Sequence, residues 1–167
     1  NIKQYGTNYG ASRKSNIQIS IFSEAENYLA NLIGSESCIT TSSGYLAGQL
    51  VAQTFNNEKY ALFYAPAAHG ALHVSFKKPF DSFHELDKSI HEHLNTRDST
   101  PVVFLDTVDA KGLNYPHFEN LKKLPLEQIL LIADDSHGIG IIGEYGQGVF
   151  EELQKLKPKE LLVCSSL

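Results

Sequence analysis

The stretch "QILLIADDSHGIGIIGEYGQG", Gln128 to Gly148, decides how this chain reads. It opens on an apolar run with no period-2 alternation, the pattern of a strand covered on both faces. Two acids and a histidine follow directly: Asp134, Asp135 and His137. Five glycines then fall within the eleven residues 138 to 148. A buried strand that delivers acid and imidazole into a bendable loop suits an open α/β sheet, whose ligands bind beyond the carboxyl ends of its strands.

The rest of the chain alternates in the same way. "YALFYA", "PVVFLD" and "ELLVCS" read as apolar strands, and "SCIT" as a short one. Between them lie helical patterns. "FSEAENYLANLIG" sets Phe22, Ala25, Leu29, Leu32 and Ile33 on one stripe, with Ser23 and Glu26 at capping-box spacing and Gly34 at the stop. "GYLAGQLVAQTF" opens on a Ser-Ser-Gly turn, and "FHELDKSIHEHL" is amphipathic. "HGALHVSF", "FENLKKL" and "VFEELQKL" read as further helices. Apolar strands alternating with helices predict a three-layer α/β/α sandwich around a mainly parallel sheet. With no repeats, low-complexity tracts or linkers, residues 1–167 read as a single domain.

Composition narrows the function. The 167 residues are 42% hydrophobic and 20% charged, ordinary for a soluble globular chain with a real core. A net charge of −5 and no basic stripe argue against nucleic acid. No apolar run approaches the roughly 20 residues that span a bilayer, and "NIKQYGTNYG" has no signal-peptide pattern. Cys38 and Cys164 lie far apart in apolar segments, which favours thiols in a reducing, cytoplasmic compartment over a disulfide. Asn1 is not a natural start, so a preceding segment is expected.

Four suggestive stretches fall at predicted strand ends: "TTSSGY", "APAAHG", "LDTVDAKG" and "DDSHGIG". "GIGIIG" matches G-x-G-x-x-G, but a dinucleotide fingerprint turns straight from strand into helix. Here "DDSH" intervenes and "EYGQG" follows. A metal site could use Asp134, Asp135, His137 and His69, but His91 and His93, two apart on a polar helix, face different ways. A hydrolytic triad lacks the G-x-S-x-G elbow. A phosphorylated aromatic cofactor fits better. The Ser-Ser-Gly turn offers N–H groups and hydroxyls to a phosphate. Asp134 could pair with a protonated ring nitrogen, His137 could reach another polar ring atom, and His69 could lie flat on the ring. Together they describe a pocket for pyridoxal phosphate.

On these residues the chain resembles the α-oxoamine synthases, pyridoxal-phosphate enzymes of the fold-type-I aminotransferase superfamily. "YGTNYGASR" is similar to the family's Gly-rich segment ending in Ser-Arg, and "EAENYLANLIGSESCITTSSGYLAG" to its helix, strand and phosphate turn. "HGAL" resembles the segment of its stacking histidine. "DDSHGIGIIGEYGQG" is close to its D-[DE]-[AS]-H-[GS]-x-G-x-x-G-x-x-G-x-G signature, the most specific of the four. The resemblance implies that Asp134 pairs with the pyridine nitrogen and His137 bonds near the phenolic oxygen. It implies that His69 stacks on the ring, making the two histidines the catalytic candidates. Ser43, Gly44, Tyr45 and Ser165 would hold the phosphate, and Arg13 would lie near substrate at a homodimer interface. The implied reaction is acyl transfer from a thioester such as acyl-CoA to an amino acid. An aminotransferase, another fold-type-I activity and a non-catalytic homologue are the alternatives.

Two departures stand out. The family's E-[GS]-x-[FY]-S-M-[DE]-G is here "LDTVDAKG", so Asp106 approximates the Glu and Asp109 falls where a cofactor-side Ser is expected. Gly48 replaces the usual Asn after the phosphate turn. In the family the cofactor lysine follows the strand that resembles "ELLVCSSL", and a small C-terminal domain comes after it. Lys111 is in the wrong loop, and Lys155, Lys157 and Lys159 precede that strand. Residues 1–167 are therefore expected to be part of a fold-type-I large domain, with the lysine and the small domain beyond Leu167.

Overall fold

A computed structural model describes Lys3, Gly6, Gly10, Ser12, Ser15, Asn16 and residues 18–74 and 77–166. The chain divides into two compact units, Asn1–Thr40 and Thr41–Leu167.

In the first unit, helix α1 spans Ser20–Ile33. It starts earlier than the capping-box spacing predicts, and Ile19 precedes it with no side-chain cap. Glu26 serves a different purpose: its Oε1 accepts from the Thr40 N–H at 2.6 Å and the Thr40 hydroxyl at 2.9 Å. The helix ends at Gly34, as expected, in the left-handed region. "SCIT" forms no strand among the described residues. The amide of Thr40 is spent on the Glu26 carboxylate, not on a ladder.

The second unit is the predicted sandwich. Strands β1 (Tyr60–Tyr64), β2 (Thr100–Asp106), β3 (Leu130–Asp134) and β4 (Glu160–Cys164) pair in sequence order, all parallel. Their alternate side chains feed two cores. Helix α2 (Gly44–Thr54) lies over one face, where Ala52, Phe55 and Leu72 meet Leu62, Tyr64, Val102, Phe104 and Ile132. Helices α3 (Phe83–Thr96) and α4 (Phe150–Lys155) cover the other. There Leu86, Ile90 and Leu153 meet Phe63, Val103, Leu105, Leu131 and Ala133. Each such Leu or Ile contributes about 2 kcal/mol on burial. The central strands β2 and β3 are buried on both faces, as their unbroken apolar runs predict. Among the described residues β4 pairs with β3 alone, and Leu162 is half-exposed on it.

Two predicted helices shrink to single 3-10 turns. Among the described residues of "HGALHVSF", the helical part is Gly70–Leu72. The carbonyls of Ala71 and His73 accept from the side-chain amide of Gln49 on α2, at 2.8 and 3.1 Å, instead of from a further turn. "FENLKKL" keeps only Leu121–Lys123. Phe118 has φ 51 and buries its ring in the core, and a helix does not propagate through that backbone. On α3, His91 turns to Asp87 while His93 turns to Ser99, so the pair does face apart.

Candidate functional site

The strands all point the same way, so their carboxyl ends share one rim. There Asp106 on β2, Asp134 on β3 and Cys164 on β4 sit side by side in register. Helix α2 reaches the same rim. Ser43 caps it, accepting from the Leu46 N–H at 3.1 Å. The N–H groups of Gly44 and Tyr45 have no acceptor within the helix. A Cβ on Gly44 would stand 2.8 Å from the Cβ of Ser166, so the helix start lies against the residues that follow β4. Ser166 in turn donates its N–H to the Ser136 hydroxyl at 3.1 Å, tying this corner to the loop after β3.

Asp134 keeps an open face. Its Oδ1 accepts from the Ser136 N–H at 3.0 Å, and Oδ2 has no partner among the described residues. Its carbonyl accepts from both the N–H and the hydroxyl of Thr107, at 2.9 and 3.2 Å. His137 and His69 are both exposed. The His69 N–H donates to Asp106 Oδ1 at 2.9 Å, and its Nδ1 accepts from the Ala71 N–H at 3.2 Å. The neutral ring then carries its proton on Nε2.

Asp135 works inward. It is 2% exposed and accepts from the Thr107 hydroxyl and, at 3.0 Å, from the Val149 N–H. Gly148 has φ +74, and a Cβ there would run into the Asp135 carboxylate. The glycines let the loop fold over that carboxylate. The loop after β2 is built around Asp109 in the same way. Its two oxygens accept from the N–H groups of Lys111, Leu113 and Asn114, at 2.8, 2.9 and 3.2 Å. Asn114 Nδ2 donates to the Asp106 carbonyl at 2.7 Å.

The electrostatics follow from crowding. Burial first, and then the Asp134 charge, push the Asp106 carboxyl above its ordinary range, while the His69 N–H opposes the shift. Burial raises Asp135 likewise, against the Thr107 and Val149 hydrogen bonds. Burial and the Asp134 charge push the free Cys164 thiol up to about 12.

Of the residues singled out from sequence, the second unit gathers Ser43, Gly44, Tyr45, His69, Asp134, His137 and Ser165 along this rim. Arg13 lies outside the described residues, and so does most of "YGTNYGASR". Asp109, which falls where the family has a cofactor-side Ser, is buried in its own loop. Gly48 replaces the family's Asn where α2 passes closest to the His69 segment: a Cβ there would stand 3.1 Å from the Ala71 carbonyl oxygen. Thr107, Asn114 and Ser166 were not among the candidates in the sequence, and Ser136 stood there only as the serine of a rejected hydrolytic triad. Only Thr107, first after a strand-end acid, carried a visible signal.

No family model matches the chain. Curated proteins do. The 8-amino-7-oxononanoate synthase of Saccharophagus degradans is 29% identical over 155 residues, covering 89% of this chain and 39% of its own length. That of Geobacter sulfurreducens is 25% identical over 162 residues, covering 92% and 41%. The chain is similar in sequence to the 8-amino-7-oxononanoate synthases. It spans about two-fifths of the length of these relatives. Among solved structures, serine palmitoyltransferase of S. paucimobilis with bound PLP–myriocin aldimine superposes with TM-score 0.76. The identity is 20%, over 98% of this chain and 43% of that one. The Sphingomonas wittichii serine palmitoyltransferase gives 0.75 at 22% identity, over 93% and 41%. These two share the fold. Both enzyme names are those of α-oxoamine synthases, the family that the sequence resembles.

Proposed function

We propose that residues 41–166 form the pyridoxal-phosphate site of an α-oxoamine synthase, a transferase that joins an amino acid to an acyl thioester such as acyl-CoA. One observation carries the reading: the half-open carboxylate of Asp134 shares a rim with the unpaired N–H groups that open α2, and Ser166 links the two. The donor set fits the group. An anionic phosphate suits the N–H groups of Gly44 and Tyr45 with the hydroxyls of Ser43 and Ser165. A protonated pyridine suits Asp134 Oδ2. Bound there, the group supplies an electron sink for a carbanion at the amino acid's α-carbon.

The chain's own residues do the rest. Asp134 would hold the ring nitrogen through its Oδ2, which can accept a hydrogen bond from a protonated pyridine. Thr107 and Ser136 hold Asp134 itself in place, through its carbonyl and its Oδ1. His69, exposed, has its Nδ1 held by the Ala71 N–H, which leaves Nε2 for a ligand, and His137 leaves from the same loop as Asp134. Among the described residues no helix is long and apolar enough to cross a membrane. A cytoplasmic homodimer completes the reading, supported by the likeness of "YGTNYGASR" to the family's interface segment.

The test is pyridoxal phosphate binding by the intact protein, followed by absorbance, together with turnover of amino acids and acyl-CoAs. Asp134→Asn removes one partner of a buried ion pair, a loss of about 3 kcal/mol or more. It should abolish turnover while the melting temperature without cofactor stays near that of the parent. Near-normal turnover in Asp134→Asn would sink the assignment.

A further inference from the structure

The loop that carries His69 has a backbone its own residues disfavour. Ala67 has φ 64, a left-handed conformation that any residue with a Cβ adopts reluctantly. The Ala68 N–H closes the turn on the Ala65 carbonyl at 3.1 Å. Directly after it, the His69 N–H reaches across 37 positions of sequence to Asp106 Oδ1 at 2.9 Å.

Asp106 is a firm anchor. It is 9% exposed and ends the central strand β2. Asn114 holds its carbonyl, and Asp134 is its register neighbour on β3. From this anchor the contacts run outward through the His69 amide to the imidazole, whose Nδ1 is fixed by the Ala71 N–H. We infer that Asp106 is a positioning residue: by accepting the His69 N–H it sets where the His69 imidazole stands relative to Asp134. Its part in cofactor binding rests on the pyridoxal-phosphate reading above.

The task needs an acceptor oxygen and not a charge. Burial and the neighbouring Asp134 both disfavour a charge on Asp106. An asparagine keeps the acceptor, and an alanine removes it. In the intact protein, Asp106→Asn should bind pyridoxal phosphate within about twofold of the parent, and Asp106→Ala about tenfold more weakly, the loss of one buried hydrogen bond. In a His69→Ala background, Asp106→Ala should weaken binding no further, because its effect runs through His69. The imidazole resonances of His69, recorded without cofactor, should move in Asp106→Ala and stay in Asp106→Asn. The inference is overturned if Asp106→Asn behaves like Asp106→Ala, if the two alanine effects add, or if the His69 resonances stay in both variants. Should the unsubstituted protein fail to bind pyridoxal phosphate, the proposed function falls, and the His69 resonances still decide whether Asp106 tethers the loop.

Discussion

The loops after β2 and β3 leave the same rim and solve one problem with different sequences. Each must turn sharply while leaving no buried N–H without an acceptor. After β3, Asp135 takes the Val149 N–H and the Thr107 hydroxyl, and glycines let the chain close around it. After β2, Asp109 takes three N–H groups of its own loop. The first loop follows the α-oxoamine synthase pattern and the second departs from it, yet both spend a buried aspartate on backbone. The difference is reach. Asp135 ties its loop to a neighbouring strand end, whereas Asp109 is self-contained. A departure from a family motif can therefore rebuild the loop and leave the rim beside it standing.

Breaking the long-range tether should cost most. Asp135→Ala leaves the Val149 N–H buried without an acceptor, leaves the Thr107 hydroxyl only the longer contact to the Asp134 carbonyl, and opens a void under Gly148. A loss of about 3 kcal/mol is expected in urea unfolding of the intact protein, and a loss below about 1 kcal/mol would mean that the loop refolds around the gap. The self-contained loop should be more forgiving. Asp109→Ala should cost about 2 kcal/mol, and Asp109→Ser, which restores the family's residue type, about 1 kcal/mol, because one hydroxyl replaces two acceptor oxygens. If Asp109→Ser proves costlier than Asp135→Ala, the contrast between the loops is wrong.

The smallest effect is one of pH. The folded-state pKa of Asp106 is raised above its ordinary value of 3.8, so the native state holds that proton more tightly than the unfolded chain does. The stability it contributes is complete below the unfolded value and is lost as pH rises through the folded one. Asn mimics the neutral form at every pH. The melting temperature of Asp106→Asn minus that of the parent should therefore grow as pH climbs from about 4 towards 7. Asp134, His69 and His137 all act on this carboxyl, so a gap that shrinks instead would show one of the histidines outweighing burial and Asp134.

The sheet was legible because strands buried on both faces read as unbroken apolar runs, as β2 and β3 do. The short helices were not, because what ends them is tertiary: the Phe118 backbone and the Gln49 amide. "SCIT" looked like a strand, and nothing nearby in sequence announced that Glu26 would claim the Thr40 amide. At the candidate site, Asp134 and His137 were legible because they close or closely follow β3, whereas His69 and the Ser43–Tyr45 turn were legible through their likeness to family motifs. The supports were hidden. Thr107 meets Asp135 across 28 positions and Ser136 meets Ser166 across 30. Such distances are bridged by parallel register, which no local pattern encodes.

Cys164 closes β4 beside Asp134 with its thiol buried and its pKa pushed up to about 12. At neutral pH almost none of it is thiolate, and the thiolate is the form that alkylating reagents attack. The folded protein should be nearly inert at this position, and labelling should proceed only when β4 detaches from β3. The sulfur is thus a built-in clock for the parting of β4 from β3. A ligand that engages Asp134 would slow that clock, and the slowing could be followed as the rate of Cys164 alkylation read by mass spectrometry.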